Sequence, residues 1–275
     1  MSGKLYIVST PIGNLEDITL RALVVLRNTD YILAESSVRT SKLLNKYDIK
    51  NKIITFNKDN EKKKSELIIA DLIKGHKISL VTDAGTPLVS DPGYELIKKI
   101  TSKFSVIPIP GPSSLTCALS VSMIPINNFI FLGFLSKKNS ERVDKIKTAS
   151  NINMPMVIYE SKHRIKSLVK NIIDIMGNNT SIMILRELTK LHESVKIFTA
   201  QDLLTELKQK LFDDAKISTT ETYSYRGTNR MKGQIGKEEI EYALKKGYIQ
   251  YDELLTPPEI IDKVLDKILT EFQKE

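Results

Sequence analysis

Ile78-Ser79-Leu80-Val81-Thr82, running directly into Asp83-Ala84-Gly85-Thr86-Pro87, is the stretch that decides the fold. The first five residues read as a short strand with apolar side chains, of the kind a parallel sheet buries. The next five form an acidic loop that contains glycine and closes on proline. Such a loop presents backbone amides to a ligand, and open α/β sheets bind ligands beyond the carboxyl ends of their strands. Gly85 allows another molecule close to the main chain, and Pro87 stiffens the exit. A second turn, Asp91-Pro92-Gly93, follows. An ordinary strand-to-helix connection has the same composition, so the loop alone does not separate the two.

Two other strand ends repeat the device. Leu5-Tyr6-Ile7-Val8 leads into Ser9-Thr10-Pro11-Ile12-Gly13-Asn14, and Val106-Ile107-Pro108-Ile109 leads into Pro110-Gly111-Pro112-Ser113-Ser114. Ser113 and Ser114 open a helical stretch, where unpaired amides suit an anion and where serines also serve as caps. Three such loops point to one shared ligand site.

Outward from these loops, apolar runs alternate with helical periodicity. The pattern predicts strands at 5–8, 31–34, 52–56, 78–82 and 105–109. Helices are predicted near 19–28, 39–47, 61–74, 94–102 and 113–121. That rhythm argues for an α/β fold with a parallel sheet covered on both faces. It breaks around Pro125-Ile126-Asn127-Asn128. A second α/β unit then starts at Phe129-Ile130-Phe131-Leu132-Gly133-Phe134, with strands near 156–159 and 181–187 and helices near 140–148, 163–176 and 200–211. Two further helices are predicted near 237–246 and 259–272. The expected division is an N-terminal lobe at 1–124, a second lobe at 125–225 and a helical extension at 226–275.

Composition sets limits. A chain of 275 residues with 41% hydrophobic content can bury a substantial core. The single cysteine, Cys117, excludes a disulfide framework, suits a reducing cytoplasm and reads as core filler. No apolar run is long enough for a signal peptide or a membrane span. A net charge of +8 favours a polyanionic partner. The block Lys58 to Lys64, mixed in sign, reads as a solvated helix start. No G-x-G-x-x-G follows the first strand, and neither a P-loop nor a G-x-S-x-G elbow occurs. His76, His163 and His192 lack metal-ligand spacing, and no metal is expected.

Several ordered motifs carry a family resemblance. Leu5 to Asp17, Val81 to Tyr94 and Pro108 to Ser114 resemble signatures of the bacterial small-subunit rRNA 2′-O-methyltransferase I family, within the tetrapyrrole-methylase superfamily. Gly133-Phe134-Leu135, Tyr159-Glu160-Ser161-Lys162-His163-Arg164 and Arg186-Glu187-Leu188-Thr189-Lys190 continue the match in order, over about the first two hundred residues. The resemblance implies S-adenosylmethionine as cofactor in a cleft between two α/β lobes. It implies a homodimer and a cytidine ribose of 16S rRNA in the small ribosomal subunit as substrate. It sets Pro11, Gly13, Asp83, Ala84, Gly85, Ser113 and Ser114 around the cofactor, with Phe131 and Gly133 as an apolar wall.

A ribose hydroxyl needs a proton acceptor, and Glu35 and Glu160 are the candidates. For each, a helix cap or a salt bridge to Arg39 or Arg164 is the structural alternative. Candidate RNA contacts are Arg39, Lys137, Arg164, Arg186 and Lys190, within clusters that also hold Lys138, Arg142, Lys145 and Lys147. One departure stands out. The family usually reads Ala-Glu-Asp-Thr-Arg where this chain has Ala34-Glu35-Ser36-Ser37-Val38-Arg39. A small-molecule methylase and a non-catalytic binding protein are therefore the alternatives to an RNA methyltransferase.

Overall fold

The computed structural model describes residues 3–100 and 104–209. The helices expected near 237–246 and 259–272, and with them the extension at 226–275, lie outside the described residues.

Five strands, β1 (Lys4–Val8), β2 (Tyr31–Ala34), β3 (Ile53–Thr55), β4 (Lys77–Val81) and β5 (Ser105–Ile109), form one sheet in the order β3-β2-β4-β1-β5. All four pairings are parallel, with Leu5 opposite Ile78 on one side and Val106 on the other. Helices α1 (Leu20–Asn28), α2 (Ser37–Lys46), α3 (Glu61–Ile73), α4 (Tyr94–Lys99) and α5 (Ser114–Ser120) fill the connections. Because successive side chains of a strand point to opposite faces, β2 feeds two cores. Ile32 and Ala34 pack with Leu23, Leu26 and Leu43 of α1 and α2. Tyr31 and Leu33 pack with Ile68, Leu72 and Leu96 of α3 and α4.

Caps fix where the helices begin. The Thr19 hydroxyl accepts from the Ala22 N–H at 3.1 Å, and the Ser36 hydroxyl accepts from the Arg39 N–H at 3.4 Å. Each such cap stabilises its helix by about 1 kcal/mol.

The rest comprises β6 (Ile130–Phe134), α6 (Asn139–Ser150), β7 (Met156–Tyr159), α7 (Ile165–Met176), β8 (Ser181–Arg186), β9 (Ser194–Thr199) and a helical stretch at 200–209. β6 pairs with β7 in parallel, and β8 with β9. β9 answers to no strand expected from the sequence, because Lys196 interrupts its short apolar run. By contact density the chain forms two compact units. Among the described residues, one holds those up to Arg164 together with Ser181–Phe198, and the other holds Ile165–Thr180 with residues 199–209. In the second unit the Ala200 N–H donates to the Thr180 carbonyl at 2.8 Å.

Two expectations need correction. Cys117 is only half-buried, since α5 buries none of its side chains fully. Lys58 to Lys64 is not simply a solvated helix start. Glu61 is 7% exposed, and one oxygen of its carboxylate accepts from the N–H groups of Gly93, Glu95 and Leu96 at 3.0, 2.8 and 3.4 Å. A helix N-terminus leaves such donors unpaired, so a carboxylate turned inward satisfies them.

Candidate active site

Three loops leave the carboxyl ends of the neighbouring strands β4, β1 and β5, and they are laced together. Thr10 and Gly85 exchange both backbone hydrogen bonds, each at 2.9 Å. The Ser9 and Thr86 hydroxyls lie 2.9 Å apart, and the Thr86 hydroxyl donates to the Pro112 carbonyl at 3.3 Å. The Thr10 hydroxyl donates to the Thr82 carbonyl at 3.0 Å. Gly85 stands at φ +88°, and a Cβ built there meets only Ile12 Cγ2 at 3.5 Å and the Pro112 carbonyl at 4.0 Å. Gly85 is buried and those are ordinary contact distances, so it is the left-handed φ rather than lack of room that calls for glycine here.

Beside this lacework lies a carboxylate cluster. The Thr82 hydroxyl donates to Glu35 at 3.0 Å. Asp83 accepts from the Ser36 N–H at 3.0 Å and pairs with the Arg39 guanidinium at 3.1 Å. The partner of Arg39 is therefore Asp83, not Glu35, and the altered segment is tied to the ligand loop through its main chain. Burial raises the Asp83 pKa, Glu35 adds to the rise, and Arg39 and the Ser36 N–H oppose it. Asp91 is pushed up to about 6, first by burial and then by Glu35, against the Thr82 hydroxyl and Lys58. Asp91 was legible only as a turn residue. A second carboxylate within the loop that begins at Asp83 was the available signal.

The β6–β7 pair brings a further set together. Phe131 stands opposite Val157, Gly133 opposite Ile158 and Phe134 opposite Tyr159, so Leu132 is one residue extra. Gly133 at φ +60° makes this bulge, and a Cβ on it would sit 2.8 Å from Ser90 Oγ. The Phe131 ring meets Tyr159 edge-on at 5.1 Å. The Tyr159 hydroxyl lies 2.8 Å from the Ser114 hydroxyl, which joins Ser114, Phe131 and Gly133 into one neighbourhood. Ser113 holds the capping position of α5 without a side-chain cap bond.

Glu160 is nearly buried, accepts from the Ser161 N–H at 2.8 Å and faces the Arg164 guanidinium at 3.3 Å. The same guanidinium donates to the Leu135 and Ser136 carbonyls at 2.9 Å each. Gly13 lies under Lys190, whose Cγ would be 2.5 Å from a Cβ there, and the Asn14 N–H donates to the Thr189 hydroxyl at 3.1 Å. Pro11 is buried, whereas Ala84, Lys137 and Arg186 are exposed. Arg142, expected at the RNA surface, is 5% exposed and donates to Asn139 at 2.8 Å. Its place on the inner side of α6 removes it from the basic cluster.

Comparison with known proteins agrees with this architecture. The Tetrapyrrole (Corrin/Porphyrin) Methylases family matches residues 4–204. A ribosomal RNA small subunit methyltransferase I of Buchnera aphidicola is 46% identical over 209 residues, covering 76% of this chain and 73% of the relative. Its namesakes from Thermotoga maritima and Escherichia coli O157:H7 are 47% and 39% identical, covering 70% and 75% of this chain and 86% and 73% of theirs. Among solved structures, uroporphyrin-III-C-methyltransferase of Thermus thermophilus shares the fold at a TM-score of 0.51, with 20% identity and coverage of 75% and 89%. Diphthine synthase does so at 0.56, with 16% identity and coverage of 74% and 84%. The laced loops, the parallel sheet beneath them and these relatives together establish that the chain belongs to the tetrapyrrole methylase family, in its ribosomal RNA small subunit methyltransferase I branch.

Proposed function

We propose that this protein methylates the ribose 2′ oxygen of a cytidine in 16S rRNA of the small ribosomal subunit, using S-adenosylmethionine, as a cytoplasmic homodimer. The observation that carries the reading is the joining of three strand-end loops through the Thr10–Gly85, Ser9–Thr86 and Thr86–Pro112 hydrogen bonds, in a chain whose relatives bear the rRNA methyltransferase name. Pro11, Gly13, Asp83, Ala84, Gly85, Ser113, Ser114, Phe131 and Gly133 are the residues proposed to hold the cofactor. S-adenosylmethionine, when bound, supplies an electrophilic methyl group on a positively charged sulfur. The protein's own part is to position a ribose hydroxyl in line, to keep water out and to accept one proton.

Glu35, held by the Thr82 hydroxyl, is the first candidate acceptor, and Glu160 is the second. Either carboxylate would accept the 2′ hydroxyl proton as the carbon–oxygen bond forms and the methyl carbon–sulfur bond breaks, the sulfur leaving as a neutral thioether. Arg39, Lys137, Arg186 and Lys190 are proposed phosphate contacts, and Arg164 fixes the Leu135-Ser136 main chain that leads to Lys137. Among the described residues no helix is long and apolar enough to cross a membrane.

The test is to map ribose methylation on 16S rRNA from cells with and without this protein, and then to assay purified small subunits. One new 2′-O-methylcytidine is expected. Glu35→Gln should slow single-turnover transfer by about 10²-fold or more while leaving cofactor affinity intact. Methylation of a porphyrin precursor in place of RNA would move the assignment to a small-molecule methylase.

A further inference from the structure

Phe134 is a large aromatic side chain that the fold keeps in solvent, at 60% exposure. Its placement follows from the bulge. In regular alternation, residues 131 and 134 of one strand face opposite sides of the sheet. The extra residue at Leu132 changes this, so that Phe134 stands opposite Tyr159 and its ring leans on the Tyr159 ring, 5.4 Å away and tilted by 60°. Phe131 meets the same tyrosine edge-on. A glycine in a left-handed conformation is thus used to bring two phenylalanines to one tyrosine, leaving the outer ring uncovered. Bulges are used next to active sites to re-aim a side chain in this manner.

The surroundings indicate what covers the ring. Phe134 is followed at once by Leu135-Ser136, clamped by the Arg164 guanidinium through both carbonyls. Lys137 and Lys138 come next, both exposed, in a chain of net charge +8. Lys138 pairs with Glu141 at 3.1 Å, an exposed ion pair of the kind that a phosphate can replace. An exposed aromatic face close in sequence to cations is the arrangement with which proteins take an unpaired base and its phosphates.

Resting on the function proposed above, we propose that Phe134 is a stacking platform for an unpaired nucleobase of the RNA substrate, with Lys137 and Lys138 beside it on the backbone phosphates. The ring acts in substrate binding and not in cofactor binding.

Three measurements on the full chain test this. Phe134→Leu keeps the apolar bulk and removes the ring, and Phe134→Tyr keeps the ring. For small subunits lacking the modification, Phe134→Leu should raise KM by about ten- to a hundred-fold. S-adenosylmethionine affinity measured by calorimetry should stay within about twofold, and Phe134→Tyr should match the unmutated protein. A single-stranded oligoribonucleotide carrying 2-aminopurine should be quenched by the unmutated protein and by Phe134→Tyr, but not by Phe134→Leu. An unchanged KM, a loss confined to cofactor affinity, or equal damage by the tyrosine would overturn the proposal. So would a failure of the unmutated protein to quench the probe. Quenching without methylation of subunits would instead count against the function proposed above, and keep the base platform.

Discussion

At Glu61, three main-chain donors depend on one buried carboxylate. Glu61→Ala leaves those donors unpaired; the three share one carboxylate oxygen, so their contributions do not add, and a hydrogen bond to a charged group contributes about 1.5–3 kcal/mol. A loss of roughly 2–4 kcal/mol in denaturant unfolding is expected, with Glu61→Gln in between. Asp91 acts in the opposite sense. Its pKa is higher in the folded state, about 6, than the ordinary 3.8. The folded protein therefore holds the proton that the unfolded chain releases between those values, and stability falls as pH rises across that window. Asp91→Asn should remove this slope. Melting temperatures of the two proteins should converge below about pH 4 and separate above pH 6, the variant being the more stable. Equal separation at both pH values would show that Asp91 is not the group responsible.

At the scale of elements, Gly133 is the most sensitive point of β6. Gly133→Ala meets the Ser90 hydroxyl at 2.8 Å and must hold φ at +60°. Strain of about 1–2 kcal/mol is expected, together with weaker Phe131–Tyr159 contact, read out in near-ultraviolet circular dichroism. Gly85→Ala meets little protein but carries the φ strain, so its effect should fall on ligand affinity as well as on stability. These elements also show what the sequence can and cannot convey. The five strands of the parallel sheet were legible because each is a compact apolar run that gives way within a few residues to a proline, an asparagine or a charge. β9 was not, because Ser194-Val195-Lys196-Ile197-Phe198-Thr199 alternates weakly and carries a lysine at its centre. Within the site, Asp83, Gly85 and Glu35 were legible from their strand ends. Asp91, Glu61 and the tie between Asp83 and Ser36 were not, since each depends on which loops the sheet order brings side by side. The bulge was hidden as well, because Leu132 reads as one more apolar residue in an apolar run.

For the whole molecule, charge is the variable to manipulate. Exposed Lys137 and Lys138 take no part in the bonds described around Asp83 and Glu35, so their reversal to glutamate should spare cofactor affinity. RNA affinity should drop, and the slope of log affinity against log salt should become shallower by about 1.5–2. An unchanged slope would remove both lysines from the interface. The sheet order has a consequence for the making of the protein. β1 is synthesised well before its neighbours β4 and β5, at Lys77–Val81 and Ser105–Ile109. Its backbone donors and acceptors have no sheet partner until those later segments have been synthesised, whereas β2 and β3 can pair much earlier. At about 5–20 residues per second, β1 waits several seconds for its place. A chain arrested near residue 70 should therefore remain open to proteolysis at β1, and one extended past β5 should become resistant there.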